Sequence, residues 1–536
     1  MNAFKRKSLY LAVVAGLGSV GMADTASAVN INNNGTGQVL IFPYYTVRGG
    51  TNTYLSVVNT TSSAKAVKVR FTEGRNSREV LDFNLYMSPN DVFAGVITPT
   101  SSGANFNLGT ARTPNVASPT GADTSCTYPA IPAGGVDFVN YAYSGSNLAG
   151  MGTSVGSQGD WETTSLDRTR EGYFEIIEMG VITNTDIIAA ITHNSAGFPA
   201  NCSVVQQDVT GMNMGAGSAL LWPLIGGTSQ KVDPPKGGLT GTASLVNVNA
   251  GTDYGYSPVP LADFNGINNL WNAAGTIAPD LTNAYPYVSR VFKGGAVVAT
   301  DWTNSTAFSS AQRPVNAVSA VLMHDNLINE FVMDTATQSA TDWVITMPTK
   351  RYYVPAALTQ STAGYISPFT KSFSASGACE TVSITYWDRE EQLNTTPSTF
   401  SPPPPSGGPT SLCWESTVVT FTNTGGTSVL GSSNGVSFPV TYSGGTVKMQ
   451  HGWAKMNFAQ TMVSGATVAG TVYSGTAAAV TSSASTYVGL PTIGFMVTNA
   501  LNGNVGTPAV LSNYGGNFNH SYTNNITVGG VAVTGE

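Results

Sequence analysis

Apolar and polar positions alternate along the chain from Gln38 to Ile97, and the alternation predicts successive β-strands. Val39-Leu40-Ile41-Phe42 is a short apolar run that stops at Pro43. Tyr54 to Val58 leads into the polar turn Asn59 to Ala64. Ala66-Val67-Lys68-Val69-Arg70-Phe71 has the period of a half-buried strand, with its charges facing water. Gly74 to Ser77 marks a turn, Val80 to Tyr86 alternates again, and Val92 to Ile97 adds a further strand. Strands at roughly 10–12 residue spacing with turns between them predict an antiparallel sandwich.

The pattern weakens from Thr98 to about Asp160, where Gly, Ser, Thr, Asn and Pro predominate, and predicts a surface excursion. Strands resume at Gly172 to Ile177 and at Asp186 to Ile191, and Leu220 to Ile225 is another apolar run. Lys231 to Gly238 reads as a boundary. Beyond it, strands are expected at Gly241 to Val248, Asp342 to Thr346, Thr381 to Trp387, Val447 to Phe458 and Ile493 to Asn499. Short helices are expected at Ala262 to Ala274, with Leu270 and Trp271 on the apolar face, and at Pro314 to Met323. Pro402 to Pro405 begins a stiff Pro/Gly segment that serves as a loop or a linker.

The expected fold is therefore mainly β: connected antiparallel β-sandwich-like domains with long loops and a few short helices. Its expected divisions are a leader at 1–28, an N-terminal region at 29–235 with the excursion near 98–160, and a middle region at 236–400. The Pro/Gly segment at 401–410 and a C-terminal region at 411–536 follow, the latter packed with the earlier sheets.

The leader changes the picture most. Lys5, Arg6 and Lys7 precede an apolar run from Leu9 to Val20, and Ala26-Ser27-Ala28 ends it. These are the parts of a secretory signal peptide, cleaved after Ala28, with no transmembrane helix expected in the mature chain. Losing those three cations and Asp24 moves the formal charge from −7 to −9. Only 10% of the residues are charged, against about 25% in an ordinary soluble domain. Hydroxyls, amides and 59 glycines take the place of the missing charges. An acidic, sparsely charged chain without basic blocks argues against nucleic acid. It suits a protein that packs against copies of itself or against sugar.

Four cysteines at long spacing, with no C-x-x-C, favour disulfides over a zinc site in an exported chain. Of the three pairings, sequence neighbours are preferred: Cys126 with Cys202 and Cys379 with Cys413. Glu171, Glu175 and Glu178 form a carboxylate cluster whose ordinary role is a solvated face or an ion pair with Arg168 or Arg170, a glycosidase pair being the rarer use. Asp388, Arg389, Glu390 and Glu391 read as an ion-pair turn. His193, His324, His451 and His520 are scattered and match no metal or triad motif. Tyr44, Tyr45, Tyr352 and Tyr353 are aromatic pairs that serve either packing or sugar stacking. No catalytic, cofactor or metal residue is assigned, and calcium has no loop motif to receive it.

Several phrases taken together resemble a known family. They are Ile41-Phe42-Pro43-Tyr44-Tyr45-Thr46-Val47, Ser56 to Thr61, Lys65 to Phe71, Arg78 to Tyr86, Thr341-Asp342-Trp343-Val344, Pro348-Thr349-Lys350-Arg351 and Asn513 to Phe518. The family is one of exported proteobacterial cell-surface proteins of the surface-layer-like kind. The resemblance spans most of the mature chain and implies a cell-surface location but no site residue. The expected function is an exported structural protein of the cell surface that self-associates as a surface-layer-type subunit. An adhesin or carbohydrate-binding protein is the alternative, and a secreted polysaccharide hydrolase a third. The expected partners are further copies of the chain and an outer-membrane glycolipid or surface glycan, with the periplasm as the alternative location.

Overall fold

The computed structural model describes residues 28–109, 123–144, 163–207, 232–272, 274–303, 313–354, 367–374, 376–389, 410–422, 428–440, 450–458, 468–474, 480–508 and 510–533. It is mainly β, with several antiparallel sheets and a few short helices. The first sheet runs in the order Asn30–Ile31, Val259–Ala262, Val39–Thr46, Glu171–Ile182, Ala64–Glu73, Glu79–Met87 and Cys126–Tyr128. Val232–Asp233 is added beside the far end of Glu171–Ile182. The second sheet is Thr252–Tyr256, Leu239–Asn247, Asn52–Asn59, Val92–Pro99, Ala104–Asn107 and Val136–Asp137.

These two sheets enclose a core rich in phenylalanine. Phe42 stacks on Phe174 with ring centroids 4.3 Å apart, and Phe71 links Phe174 to Phe106 at 5.3 Å each. Strands from 239 to 262 complete both sheets, so pairing runs straight through the Lys231 to Gly238 stretch.

Two further sheets lie against this sandwich. One is Thr410–Leu412, Glu380–Asp388, His451–Asn457, Asn326–Val332 and Ser521–Thr523. The other is Gly435–Pro439, Ser416–Thr422, Ala340–Thr346, Ile493–Ala500 and Tyr514–Asn519, with one parallel pair between its first two strands. The Ala340–Thr346 sheet is covered on both sides. Trp343 and Phe421 pack against Phe331 of the neighbouring sheet, whereas Val344, Val418, Phe495 and Val497 join the phenylalanine core. A six-stranded sheet of Val288–Lys293, Ala296–Asp301, Val468–Ser474, Val480–Val488, Asn525–Val528 and Val531–Ala532 lies beyond these, with the helix Arg313–Val321 packed beside it.

The disulfides are Cys126–Cys202 and Cys379–Cys413, the pairing expected from sequence neighbours. The first ties an edge strand of the first sheet to the residue before the short helix Ser203–Gln207. Loop closure of this kind stabilises by roughly 2–4 kcal/mol.

Four local readings need correction. Thr185–Ile191 is a helix, because Asn184 accepts the N–H groups of Asp186 and Ile187 and the apolar face Ile187/Ile191 follows a helical period. Asp263 to Asn272 is not a helix: Val259–Ala262 ends in the first sheet, Asp263 has positive φ, and turns follow. Pro43 does not end its strand. Val39–Thr46 continues through it where the pairing with Glu171–Ile182 shifts register, a bulge that needs no proline N–H. Within the excursion near 98–160, Ala104–Asn107, Cys126–Tyr128 and Val136–Asp137 are strands. The expected run Leu220 to Ile225 and the Ser401 to Pro409 segment lie outside the described residues.

Gly172 shows how closely the central strands approach. A Cβ there would collide with the carbonyl oxygen of Thr72 and the Cα of Glu73, both backbone atoms. Gly255, in the edge strand Thr252–Tyr256, faces open space. Gly172→Ala should therefore cost about 3 kcal/mol of stability, and Gly255→Ala should stay within about 0.5 kcal/mol of the parent. Denaturant titration of both variants checks this; equal effects would contradict the packing described.

Candidate functional site

The strands Ala64–Glu73 and Glu171–Ile182 are buried along their whole length. This overturns the half-buried reading of Ala66 to Phe71. Val67, Val69 and Phe71 enter the phenylalanine core, while Ala66 belongs to a second core on the opposite face. Lys68 and Arg70 share that second face by strand alternation, so their charges are covered too. A buried charge must be paired, and each one here has a partner from a different stretch of chain.

Arg70 is the centre of the densest cluster. Its guanidinium lies 2.9 Å from Glu79, 3.7 Å from Glu175 and 3.9 Å from Asp280. Lys68 donates to Asp82 at 2.6 Å. Both Asp82 oxygens accept the N–H of Gly275, at 2.8 and 3.0 Å. Arg351 adds a third cation near Arg70 and Asp280. Four carboxylates thus meet three cations. Burial pushes Glu175 up to about 7 despite the attraction of Arg70, and burial also raises Glu79. Burial pulls Lys68 below the usual lysine range, with Asp82 opposing it. A proton held on Glu175 makes this cluster neutral.

The other two glutamates of the strand sit at separate junctions. Glu171 accepts from Tyr44 Oη at 2.8 Å, Arg48 Nε at 2.7 Å and the Ser433 N–H at 2.8 Å. It therefore clamps the loop that precedes Gly435–Pro439. Asp342 holds the same loop through Ser428 Oγ at 2.7 Å and the Leu430 N–H at 2.8 Å. Glu178 pairs with Lys65 at 2.7 Å and accepts the N–H of Gly237 at 2.6 Å. The expected partners Arg168 and Arg170 are engaged elsewhere: Arg168 with Glu73 at 3.0 Å, Arg170 with Asp167 at 3.1 Å. Nor is the cluster a solvated face, since Glu171, Glu175 and Glu178 are all buried.

The Gly74 to Ser77 turn joins this network to the Ser416–Thr422 strand. Glu415 accepts a bond from Ser77 Oγ, and the Ser416 N–H donates to Gly74 O at 2.8 Å. Tyr173 Oη donates to Ser77 Oγ at 2.7 Å. Near the Cys379–Cys413 bridge, Lys350 Nζ donates to the carbonyls of Ala378 at 2.7 Å and Cys413 at 3.2 Å, and burial lowers it to about 8.

Tyr44, Tyr45 and Tyr353 are buried and Tyr352 is half-buried, so these pairs pack and do not offer open rings to sugar. Asp388 ends its strand facing inward, Arg389 is exposed, and Glu390 and Glu391 lie outside the described residues. The structure brings His324 and His520 to one largely apolar cavity of about 190 Å³, which Leu327, Phe495 and Tyr522 also line. Burial lowers these imidazoles to about 3 and about 4, respectively. Their 196-residue separation left no sequence signal for this meeting. His193 and His451 instead face Asp91 and Asp334, at 3.6 and 3.5 Å. Among the described residues no three His, Cys, Asp or Glu side chains gather in a way that could hold a metal ion, and no helix is long and apolar enough to cross a membrane.

No family model, curated protein or solved structure matches the chain.

The network makes stability depend on pH with a definite sign. Glu175 binds its proton more tightly in the fold than in the unfolded chain, where its value is near 4.5. Its stabilising contribution is fully present below about pH 4.5 and is lost as pH rises through about 7. Glu175→Gln keeps the neutral form at every pH. The variant should gain on the parent protein by up to about 3 kcal/mol between about pH 5 and about pH 8. Urea titrations of both across that range check it; a difference that does not change with pH would refute the assignment.

Proposed function

We propose that this chain is an exported structural protein of the cell surface that assembles with copies of itself. The observation that carries this reading is where the charge resides. Fifteen Asp, Glu, Lys and Arg residues are buried among the described residues, from a sequence that holds only 53 in all. Such residues are almost never fully buried unless they are paired, as Lys65, Lys68 and Arg168 are here. Fewer charges are then available to the exterior, which leaves little long-range repulsion between neighbours. A signal peptide and two disulfides support an oxidising compartment outside the cytoplasm.

Exposed apolar side chains support lateral contacts. Phe292 lies on the edge strand Val288–Lys293 and is 60% exposed, and Val531 lies on the opposite edge strand of the same sheet at 71%. Val29 bridges the first edge at Val288 and Arg290, so the end of that strand at Phe292 and the Val531 edge across the sheet are the surfaces that support growth of an array.

Purified mature protein should form ordered sheets, tubes or discrete oligomers as its concentration rises, with calcium promoting assembly by neutralising surface carboxylates. Sedimentation and negative-stain microscopy, with and without calcium, test this. A strict monomer under every condition, together with producing cells that carry no periodic coat, would rule the reading out.

A further inference from the structure

The sheet containing His451–Asn457 has one face turned outward, and register fixes what stands on it. Trp387 on Glu380–Asp388 is directly opposite Trp453, which is in turn opposite Glu330 on Asn326–Val332. Thr385, Lys455 and Ile328 form the next row, and Ser383, Asn457 and Asn326 the row after it. The intervening residues Tyr386, Ala454, Met456 and Phe331 face the core. The two indoles stack at 4.1 Å between centroids with 14° between planes. Trp453 is 38% exposed, so part of the indole surface stays in contact with water.

We propose that this face binds a chain of neutral hexopyranose units. The inner faces of the stacked indoles cover each other, so the exposed outer surface of Trp453 is the stacking element, and the amide and hydroxyl rows beside it are the hydrogen-bonding element. An aromatic face is electron-rich, so it attracts the weakly positive C–H face of a sugar ring. The rows beyond it present Thr385 and Ser383, short polar groups suited to sugar hydroxyls. Charge on the face is small and balanced: Lys455 against Glu330, and His451 beside Asp334 at 3.5 Å. That balance suits an uncharged ligand better than an acidic polysaccharide.

This proposal does not depend on self-assembly, because binding is read on the monomer.

The test uses the full mature protein at concentrations where it is monomeric. Calorimetric titration with cellohexaose, maltohexaose and mannohexaose should show binding of at least one. Trp453→Ala should weaken that binding roughly tenfold or more, and Trp453→Phe should retain most of it. The Trp387→Ala/Trp453→Ala double variant should lose it. Far-UV exciton coupling reports the indole pair directly, and an unchanged melting temperature confirms that the variants fold. Absence of binding to all three hexaoses would overturn the proposal, as would unchanged binding by a folded double variant. A double variant that alters self-association while binding sugar normally would make the face a contact between copies and would also overturn it.

Discussion

A charged side chain on a strand covered from both sides has no route to water. Lys65, Lys68, Arg70, Glu171, Glu175 and Glu178 are all in that position. Removing one partner of such a pair leaves an uncompensated charge and costs about 3–5 kcal/mol, although an intact pair stabilises little over a well-packed apolar one. The network therefore selects an arrangement more than it strengthens it. Each pair or carboxylate calls in a distant piece of chain: residues 275–280 to Asp82 and Arg70, residues 236–237 to Glu178, residues 432–433 to Glu171. If any of these pieces failed to dock, the charges of two central strands would lie open on a half-formed core. This explains why sheets built from distant parts of the sequence share two continuous cores.

The strands were legible because their alternation is local. Asn52–Asn59 and Leu239–Asn247 bury every second residue over most of their length, as the sequence pattern requires. The same pattern misleads at Ala64–Glu73. A Lys or Arg at every second position looks like a solvent face, and only the layer carrying Asp280 and Arg351 reveals otherwise. Local chemistry also misled at Asp186 to Ile191, where three β-branched residues outweighed the Asn184 cap in a strand reading. The cysteine pairing was accessible because sequence neighbours were preferred, a rule that needs no tertiary information.

Sites were less legible than strands, for a related reason. The glutamate cluster was visible as composition, but its partners come from residues up to 262 positions away. The indole pair was invisible as a pair: Trp387 and Trp453 are 66 residues apart and become neighbours only through strand register. Tyr44-Tyr45 and Tyr352-Tyr353 attracted notice because they are adjacent in sequence. Tyr44 and Tyr45 both pack into the phenylalanine core and Tyr353 packs into the other core, so adjacency is poor evidence for an exposed platform. Residues opposed across strands share a face and lie close enough to stack.

Interior charge and exterior aromatic surface are consequences of one allocation. With so few ionisable groups, those committed to joining layers are unavailable to keep the outside strongly hydrated. An exposed Trp453 is tolerable on such a surface only if its neighbours are polar enough to discourage indiscriminate apolar contact, and the rows of Thr385, Asn457 and Lys455 supply that polarity. The same rows make the face suited to a ligand that is itself half apolar and half hydroxylated. The proposed structural role and the proposed sugar-binding face are thus compatible: the interior network fixes the sheets, and the sheet register then brings two indoles together.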